Sequence, residues 1–382
     1  LYTGTNSFTL LAIPLFLLAA KLMNTGGITK KLFAFCMKVV GWLPGGLGHV
    51  NILSSVIFAG MSGTAVSDAG GLGAIEIKAM NENGFDNDFS CCVTAASSTM
   101  GPIIPPSIPL VVYATVSGAS VGALFMAGIV PGIVMALLMM VVVTIYAIKR
   151  HYPRTKFPTF HEFGHALKEG FLPLMAPIIL LVGIYGGVFT PTESAAIVVL
   201  YSLFLDVVVY RELSLKKFIA ILKETVRDSL TIALIITGAT FFGYVATRAK
   251  IPQMILTSMT SVVSSKVTLL LIINVFLLIV GCFLETASAI TIVVPLILPL
   301  LTAYNINLTQ FGIIMVLNLM IGLLTPPFGL VLFVISKIGH ISIGRFSRAL
   351  VPWLGALLAA LLLVTFIPQL SLWFPTMLGM SV

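Results

Sequence analysis

Charged side chains are scarce in this sequence. Asp, Glu, Lys and Arg make up only 9% of its 382 residues, whereas 58% are hydrophobic, and the mean hydropathy is +1.11. A soluble domain of this length needs a far more polar surface, so the scarcity of charge excludes a soluble globular protein. The chain is predicted to lie in a lipid bilayer.

Cysteine is also rare, and its four residues lack the spacing of a disulfide framework or a zinc site. Cys36 and Cys282 stand alone in apolar segments, and Cys91 and Cys92 are adjacent. The formal net charge of +8 does not indicate a nucleic-acid partner, because Lys and Arg lie at the ends of apolar runs and not on one polar face. They are typical of the ends of membrane helices.

The long apolar runs lack the polar-apolar alternation of a membrane β-barrel. Runs such as Val121–Ile148 and Val351–Ile367 are long enough for a membrane helix, which takes about 17 to 25 residues. The predicted fold class is therefore an all-α polytopic membrane protein. The sequence starts at Leu1 without Met and shows no cleavable signal peptide, so we expect a preceding segment.

An internal repeat relates two halves of the chain, because helix-breaking residues recur 221 positions apart. The pairs are Gly60 and Gly281, Gly101 and Gly322, Pro105 and Pro326, Pro106 and Pro327, Gly118 and Gly339, and Pro131 and Pro352. Chance matching of common residues is the alternative. A structural repeat is favoured, since the matched residues are those that shape a helix backbone.

Each repeat unit is predicted to contain one span, a surface helix, an apolar hairpin, a broken span and a closing span. The hairpins cover Leu47–Met80 and Lys266–Tyr304, and their middle parts are too rich in Gly, Ser and Thr for the centre of a simple span. Re-entrant helical hairpins, with tips shielded by protein, fit this composition better.

Five crossings are predicted between the starts of the two hairpins, and an odd number inverts the second unit relative to the first. With this topology, 18 of the 21 Lys and Arg residues share one side, and only Arg248, Lys250 and Lys266 lie opposite. The positive-inside rule places the first hairpin's mouth in the cytoplasm and the second's in the periplasm. Inverted-topology repeats are typical of secondary transporters.

This organisation divides the chain into scaffold and transport parts. The scaffold is predicted to comprise residues 1–45 (a span and a cytoplasmic surface helix), 121–265 (spans and surface helices) and 341–382 (the closing span). The transport domain is predicted to comprise residues 46–120 and 266–340, each with one hairpin and one broken helix.

Paired prolines follow a glycine in both broken spans, at Gly101–Pro106 and Gly322–Pro327, and should unwind the helix near the bilayer midplane. Unwinding exposes carbonyl oxygens to a cation and leaves a half-helix N-terminus, with unpaired N–H groups, for a carboxylate. The residues predicted to bind the substrate are Ser67, Asp68, Ser97, Ser98, Pro105, Pro106 and Ser107.

Two sodium sites related by the repeat are predicted, because a hard monovalent cation prefers several oxygen ligands and little fixed charge. The first site comprises Ser62, Gly63, Thr64, Thr99 and Gly101, and the second comprises Glu285, Thr286, Ser288, Gly322 and Thr325. The alternative is a pair of proline kinks whose hydroxyls bond to their own helix backbone. Two or more sodium ions and no organic cofactor are expected.

Three acidic residues lie in or near predicted membrane depth: Asp68, Glu193 and Glu285. A carboxylate at that depth costs at least about 2.5 kcal/mol, so each is expected to have a partner or a function. Asp68 and Glu285 occupy the hairpin tips, where they can neutralise a cation or relay a proton. Glu193 follows Pro191, and a role at a helix N-terminus is favoured for it.

The segment His161–His165 matches a zinc-protease pattern, in which two His residues bind the metal and Glu162 acts as the base. It lies in a predicted cytoplasmic linker, and no third ligand is evident. A solvated polar helix face is favoured, and the chain is predicted not to be an enzyme.

Three separated motifs resemble the large membrane subunit of TRAP (tripartite ATP-independent periplasmic) transporters: Gly60–Asp68, Gly101–Pro109 and Gly187–Glu193. The likeness covers nearly the whole chain except the family's first N-terminal stretch. It implies sodium-driven import of an organic acid across the bacterial inner membrane by an elevator mechanism. It also implies a periplasmic substrate-binding protein and a small four-helix membrane subunit as partners.

The segments Leu47–Asn51 and Ile75–Met80 most resemble the sialic-acid branch, with C4-dicarboxylates as the alternative substrates. A stand-alone sodium-dicarboxylate symporter that needs no binding protein remains an alternative function. A channel is disfavoured, because no span shows a repeated polar pore face.

Overall fold

The computed structural model describes residues 8–24 and 26–380, apart from the side chains of Met61 and Ser62. All regular secondary structure in this part of the chain is helical, which confirms the predicted all-α class. The α-helices are α1 (Ala12–Met23), α2 (Gly26–Val40), α3 (Gly46–Ser62), α4 (Ala65–Gly70), α5 (Leu72–Glu82), α6 (Asn87–Ser98), α7 (Ile108–Ser117), α8 (Val121–Arg150), α9 (Phe160–Tyr185), α10 (Pro191–Phe204), α11 (Leu215–Arg248), α12 (Ile251–Val262), α13 (Lys266–Phe283), α14 (Thr286–Ala303), α15 (Leu308–Leu323), α16 (Leu330–Ile338), α17 (Ile343–Phe366) and α18 (Gln369–Met377).

Within the described residues, seven helices are long and apolar enough to cross a membrane, or up to eight spans if a bent pair, Phe8–Met23 with Ile28–Val40, counts as one. The seven are α8, α9, α10 with the π-helical turn Leu205–Val209, α11, α13, α14 and α17. Because α13 and α14 both pass by length and composition, the re-entrant course of the second hairpin stays a prediction.

Local sequence fixes several helix starts and ends. Gly63 ends α3 with a φ of 64°, a backbone conformation that a residue with a Cβ rarely adopts. At the start of α10, the Thr190 N–H donates to Glu193 Oε2 at 2.8 Å and the Glu193 N–H donates to Thr190 Oγ1 at 3.3 Å. This capping box confirms the predicted N-terminal role of Glu193.

The two repeat units contain matching elements. Hairpin 1 consists of α3, α4 and α5, and broken span 1 of α6 and α7. Hairpin 2 consists of α13 and α14, and broken span 2 of α15 and α16. In each unit the first hairpin arm packs against the first half of its own broken span. The second half crosses over: α7 packs against α14 of hairpin 2, and α16 packs against α4 of hairpin 1.

Both predicted helix interruptions are present. Break 1 comprises residues 99–107, between α6 and α7, and break 2 comprises residues 324–329, between α15 and α16. The predicted start of the second interruption at Gly322 is wrong, because α15 continues through Gly322 to Leu323. The prolines remove backbone donors only further along, so the helix unwinds after this glycine.

The helices outside the hairpins and broken spans form two groups. In the first, α1 packs against α10 and α11, and α2 packs against α9. Lys21 joins α1 to α11 through ion pairs with Asp228 at 2.6 Å and Glu224 at 3.4 Å. In the second group, α8 and α17 pack against each other and against the first halves of the broken spans.

Ion pairs tie this second group to broken span 1. Arg150, at the end of α8, contacts Asp86 at 2.6 Å, and Arg345 in α17 contacts Asp88 at 2.7 Å. The Tyr152 hydroxyl also donates to Asp86 at 2.6 Å, and this hydrogen bond is the main cause that lowers the pKa of Asp86. Burial raises the pKa of Tyr152 to about 12, so it remains a donor at neutral pH.

Candidate site for substrate and coupling ions

The tip of hairpin 1 lies directly against break 1. The Ile108 N–H at the start of α7 donates to the Gly63 carbonyl at 3.4 Å. A Cβ added at Gly63 would lie 2.8 Å from the Pro106 carbonyl oxygen. Gly63 and Pro106 were predicted for the cation and the substrate respectively, and the structure places these two residues side by side.

Asp68 approaches the same region from α4. It is 5% exposed, and a Cβ added at Gly101 would lie 2.5 Å from Asp68 Oδ2. Only a glycine at position 101 leaves room for this carboxylate. A carboxylate and nearby carbonyl oxygens are the ligands that a hard cation prefers, so these residues can contribute to a sodium site.

The hydroxyls predicted for the first sodium site, Thr64 and Thr99, and the Ser98 hydroxyl predicted for the substrate already make local hydrogen bonds. Ser98 and Thr99 donate to the carbonyls of Ala95 and Ala96 at 2.9 and 2.6 Å, and Thr64 Oγ1 accepts from the Ser67 N–H at 3.4 Å. A hydroxyl that donates to its helix keeps lone pairs for a cation, so these contacts do not exclude the sodium site. The side chain of Ser62 lies outside the described residues.

Ser97 faces hairpin 1. Its hydroxyl donates to Asn51 Oδ1 at 2.7 Å and accepts from Ser55 at 3.0 Å, and Asn51 Nδ2 donates to Thr94 Oγ1 at 2.7 Å. All four residues are buried. This network joins α3 to α6, and it provides a structural role for Ser97 that the sequence did not indicate.

The predicted unpaired N–H groups at the start of α7 are absent, and this correction affects the substrate site. The Ile108 N–H donates to Gly63, Pro109 has no N–H, and the Leu110 N–H donates to Ser107 Oγ at 3.2 Å. Ser107 also donates to the Pro102 carbonyl at 2.5 Å. The hairpin tip and the Ser107 cap therefore occupy the donors that were expected to face a carboxylate.

Break 2 differs from break 1 in its exposure to solvent and in its free N–H groups. Pro326 and Phe328 are exposed, whereas Pro105 and Pro106 are buried. Within the described part of the chain, the N–H groups of Leu330, Val331 and Leu332 at the start of α16 have no hydrogen-bond partner. These groups are the donors that an anion at a helix N-terminus requires.

At hairpin 2, the Glu285 carboxylate caps α14. Glu285 Oε2 accepts from the N–H groups of Ala287 at 2.8 Å and Ser288 at 3.2 Å. Thr286 is buried beside it. The sequence predicted a role in cation neutralisation or proton relay, and the cap is a function that the prediction did not assign.

The remaining predicted residues of the second sodium site lie at the end of α15. The Thr325 hydroxyl donates to the Ile321 carbonyl at 2.8 Å, and the Thr325 N–H donates to Gly322 O at 2.9 Å. Among the described residues, no hydrogen bond joins Glu285, Thr286 or Ser288 to Gly322 or Thr325. Gly322 lies against Gly281 of α13, and α14 also packs against α15.

A second buried amide network was not predicted. Asn318 Nδ2 donates to Asn274 Oδ1 at 2.9 Å, and Asn274 Nδ2 donates to Thr365 at 3.1 Å. Asn318 is 221 positions from Ser97, so each unit uses this position of its broken span to bond to an asparagine of its hairpin. An asparagine within an apolar run was the available sequence signal.

The zinc-protease pattern forms no metal site in the described residues, where no cluster of three or more His, Cys, Asp or Glu side chains can hold a metal ion. His161 and His165 are exposed on α9. Glu162 instead caps this helix with Thr159, accepting from the Thr159 N–H at 3.0 Å.

Comparison with models of known protein families identifies the family of this chain. A family model described as "Tripartite ATP-independent periplasmic transporter, DctM component" matches residues 1–370. The chain belongs to this DctM family. It is a multi-pass membrane permease of a bacterial TRAP transporter and not an enzyme, as its three motifs predicted. The family is tripartite, so its transporters have further components.

The relatives of this DctM-family permease are named after different substrates. The sialic acid TRAP transporter large permease protein SiaM of Vibrio cholerae is 44% identical over 97% of this chain and 87% of its own length. The C4-dicarboxylate large permease protein DctM of Pseudomonas aeruginosa is 39% identical over 100% and 89%. The isethionate permease protein DctMQ of Oleidesulfovibrio alaskensis is 38% identical over 98% of this chain and 59% of its own length.

A solved structure supports the fold. The crystal structure of the Alcanivorax borkumensis YdaH transporter matches with a TM-score of 0.65 at 14% identity, covering 96% of this chain and 85% of that chain. At this identity the match establishes a shared fold and carries no information on substrate.

Proposed function

We propose that this DctM-family permease couples sodium entry to the import of an organic acid across the bacterial inner membrane by an elevator movement. The observation that carries the proposal is the packing of hairpin 1 against break 1, which places Gly63 beside Pro106 and Asp68 beside Gly101 in an oxygen-rich, largely buried region. Interrupted helices with exposed backbone oxygens are typical of ion and substrate sites in secondary transporters.

The moving body is proposed to include more of the chain than residues 46–120 and 266–340. The predicted domain boundaries assign α8 and α17 to the scaffold, yet both helices pack against the broken spans. The ion pairs of Arg150 and Arg345 with Asp86 and Asp88 also favour their movement with broken span 1. The scaffold is then formed by α1, α2 and α9 to α12.

An inverted relation between the two units supports alternating access. The charge distribution of the sequence favours it, since 18 of 21 Lys and Arg residues fall on one side under this topology. The crossed contacts of α7 with hairpin 2 and of α16 with hairpin 1 fit a two-fold relation in the membrane plane.

The substrate is proposed to be a carboxylate of the sialic acid or C4-dicarboxylate type. The names of the relatives SiaM and DctM support this chemistry, and the 44% identity to SiaM favours sialic acid. Its carboxylate is proposed to lie between the two breaks and to accept from the free N–H groups of Leu330, Val331 and Leu332. Break 1 contributes its oxygens to the cation instead.

Uptake should require a periplasmic binding protein, in contrast to a stand-alone sodium-dicarboxylate symporter. We expect proteoliposomes that contain this permease and its small membrane subunit to import the acid only when the cognate binding protein is added outside. The fused DctMQ relative supports the small subunit as a partner. Equal uptake of the free acid without the binding protein would favour the stand-alone symporter.

Sodium dependence tests the second cation site. Thr286→Ala removes a buried hydroxyl at the start of α14 and is expected to raise the sodium concentration for half-maximal uptake about tenfold, the equivalent of about 1.4 kcal/mol of binding. The matched control is Thr302→Ala, because Thr302 is exposed at the other end of α14 and its hydroxyl donates to Leu298 O of its own helix at 3.0 Å. The same sodium dependence in both variants would reject Thr286 as a ligand.

A further inference from the structure

Two exposed phenylalanine rings lie in contact where hairpin 2 meets break 2. Phe283 is the last residue of α13, and Phe328 belongs to break 2. Their ring centroids are 5.8 Å apart, and the ring planes are inclined at 54°. The two residues are 57% and 59% exposed. Large rings that touch each other and still expose more than half of their surface form an apolar patch that calls for an explanation.

Break 2 lies at membrane depth. The helix that follows it, α16, has nine residues and carries Lys337 in its last turn. A helix rises about 1.5 Å per residue, so Leu330 lies about 10 Å below the membrane surface that such a lysine marks. The N–H groups of Leu330, Val331 and Leu332 have no partner among the described residues. Free backbone donors at this depth do not face lipid, so the exposed Phe328 beside them lines a water-filled cavity.

A tight turn places the Phe328 ring on the surface of break 2. A Cβ added at Gly329, the next residue, would lie 2.5 Å from the Leu323 carbonyl oxygen and 3.0 Å from the Thr325 carbonyl oxygen. Both obstacles are backbone atoms, so only a glycine lets the chain fold back against the end of α15. Gly329 is buried, whereas Phe328 is exposed. The position of the ring is therefore fixed by a closely packed backbone.

The charge around this patch is negative. Glu285, two residues after Phe283, is the one charged side chain in residues 267–336. The next element along, α4, packs against α16 and carries Asp68. One ligand carboxylate can accept from the free N–H groups at the start of α16. A second carboxylate on the same ligand would meet no lysine or arginine from residues 267–336, and an unpaired charge in a buried site is unfavourable.

A sugar acid fits this surface better than a C4-dicarboxylate. Sites for small molecules combine a largely apolar lining with a few polar groups that fix the orientation of the ligand. The two rings supply the apolar lining here, and the free N–H groups supply the polar part. Sialic acid has one carboxylate, and its ring C–H groups and acetamido methyl group give it an apolar face. A C4-dicarboxylate carries a charge at each end.

We propose that Phe283 and Phe328 are specificity-determining residues, which contact the apolar face of a sugar acid while its single carboxylate binds the N–H groups at the start of α16. The rings select such an acid over C4-dicarboxylates. This role rests on the proposed function, since it uses the same carboxylate position, and it adds the side chains that choose the substrate.

Substrate protection of a cysteine measures binding at this site. The reporter variant has the four native cysteines replaced by Ala and carries Leu330→Cys, because Leu330 is 41% exposed beside the free N–H groups. The detergent-solubilised permease with its small subunit is labelled in sodium with a charged thiosulfonate reagent. The binding protein is left out, so that its own selectivity does not enter. Sialic acid at about ten times its dissociation constant should slow labelling about tenfold, because an occupied site does not react.

Loss of either ring should weaken the binding of sialic acid alone. In the reporter variant, Phe328→Ala and Phe283→Leu should each raise the sialic acid concentration for half-protection about tenfold. Succinate should need at least about tenfold more than sialic acid when both rings are present, and its value should not change in either variant. A purely structural effect would shift both ligands. Phe283→Leu keeps apolar bulk at the end of α13 and so guards against misfolding.

Phe276→Ala is the matched control, because Phe276 is 47% exposed and lies seven residues before Phe283 on the same face of α13. It should change the binding of neither ligand. If the reagent does not label Leu330→Cys, or if sialic acid does not protect it, the carboxylate position in the proposed function is wrong and the role of the rings falls with it. If sialic acid protects but neither ring variant shifts its half-protecting concentration, or succinate protects equally well, only the role of the rings is overturned.

Discussion

Gly101→Ala is expected to reduce sodium-driven uptake about a hundredfold, the loss typical of a reacting or binding group displaced by about 1 Å. The added Cβ would lie 2.5 Å from Asp68 Oδ2, a separation that real Cβ atoms do not occupy. Asp68 is buried and its side chain is short, so the carboxylate must leave its position beside break 1. The variant is measured in proteoliposomes with the binding protein and an inward sodium gradient.

The effect of Gly101→Ala arises from the new methyl group and not from backbone strain. Gly101 does not have a positive φ, so alanine can adopt its conformation. Gly355→Ala in α17 is the matched control, since a Cβ there meets nothing within 4 Å, and it should preserve uptake. Full uptake by Gly101→Ala would show that the position of Asp68 beside this break is unimportant for transport.

Gly322→Ala is expected to destabilise the fold by about 1–3 kcal/mol or more, the range for an overpacked core. A Cβ at this position would lie 2.4 Å from the Gly281 carbonyl carbon and 2.5 Å from the Gly281 Cα. Both obstacles are backbone atoms, so no side chain can rotate away. The helices α13 and α15 approach closely here because both residues are glycine, as in other close membrane helix pairs.

The thermal unfolding of detergent-solubilised protein, followed by size-exclusion chromatography after heating, measures this effect. Gly322→Ala should have the lowest unfolding temperature and Gly281→Ala the next lowest. The contact at Gly281 is less severe, because an added Cβ there would lie 3.1 Å from Leu319 Cα. Gly355→Ala should be neutral or slightly stabilising, through the higher helix propensity of alanine. Equal unfolding temperatures for all three variants would contradict the close approach of α13 and α15.

The two breaks differ in their burial and in their free backbone donors. In the conformation described, break 1 is buried under the tip of hairpin 1, and its donors at Ile108 and Leu110 are already bonded. Break 2 is exposed and retains free N–H groups at the start of α16. The proposed first sodium site and the proposed carboxylate site therefore lie in different halves of the repeat, although the two halves share the same sequence pattern.

The sequence by itself determined the membrane location, the helical class, the two breaks and several helix ends. The breaks and helix ends depend on residues within about one helical turn: Pro105 and Pro326 remove a backbone donor where they stand, and Glu193 caps the helix that starts two residues earlier. The constant separation of such local signals was enough to reveal the repeat. The family resemblance followed from three motifs of the same local kind.

Only the tertiary structure decided which groups meet. Ser97 bonds to Asn51, 46 positions earlier, and Arg345 bonds to Asp88, 257 positions earlier, so no local pattern contains these pairs. Hydrogen bonding depends on the atoms in contact and not on sequence neighbours. For this reason the free donors predicted after both breaks are absent at α7 and present at α16.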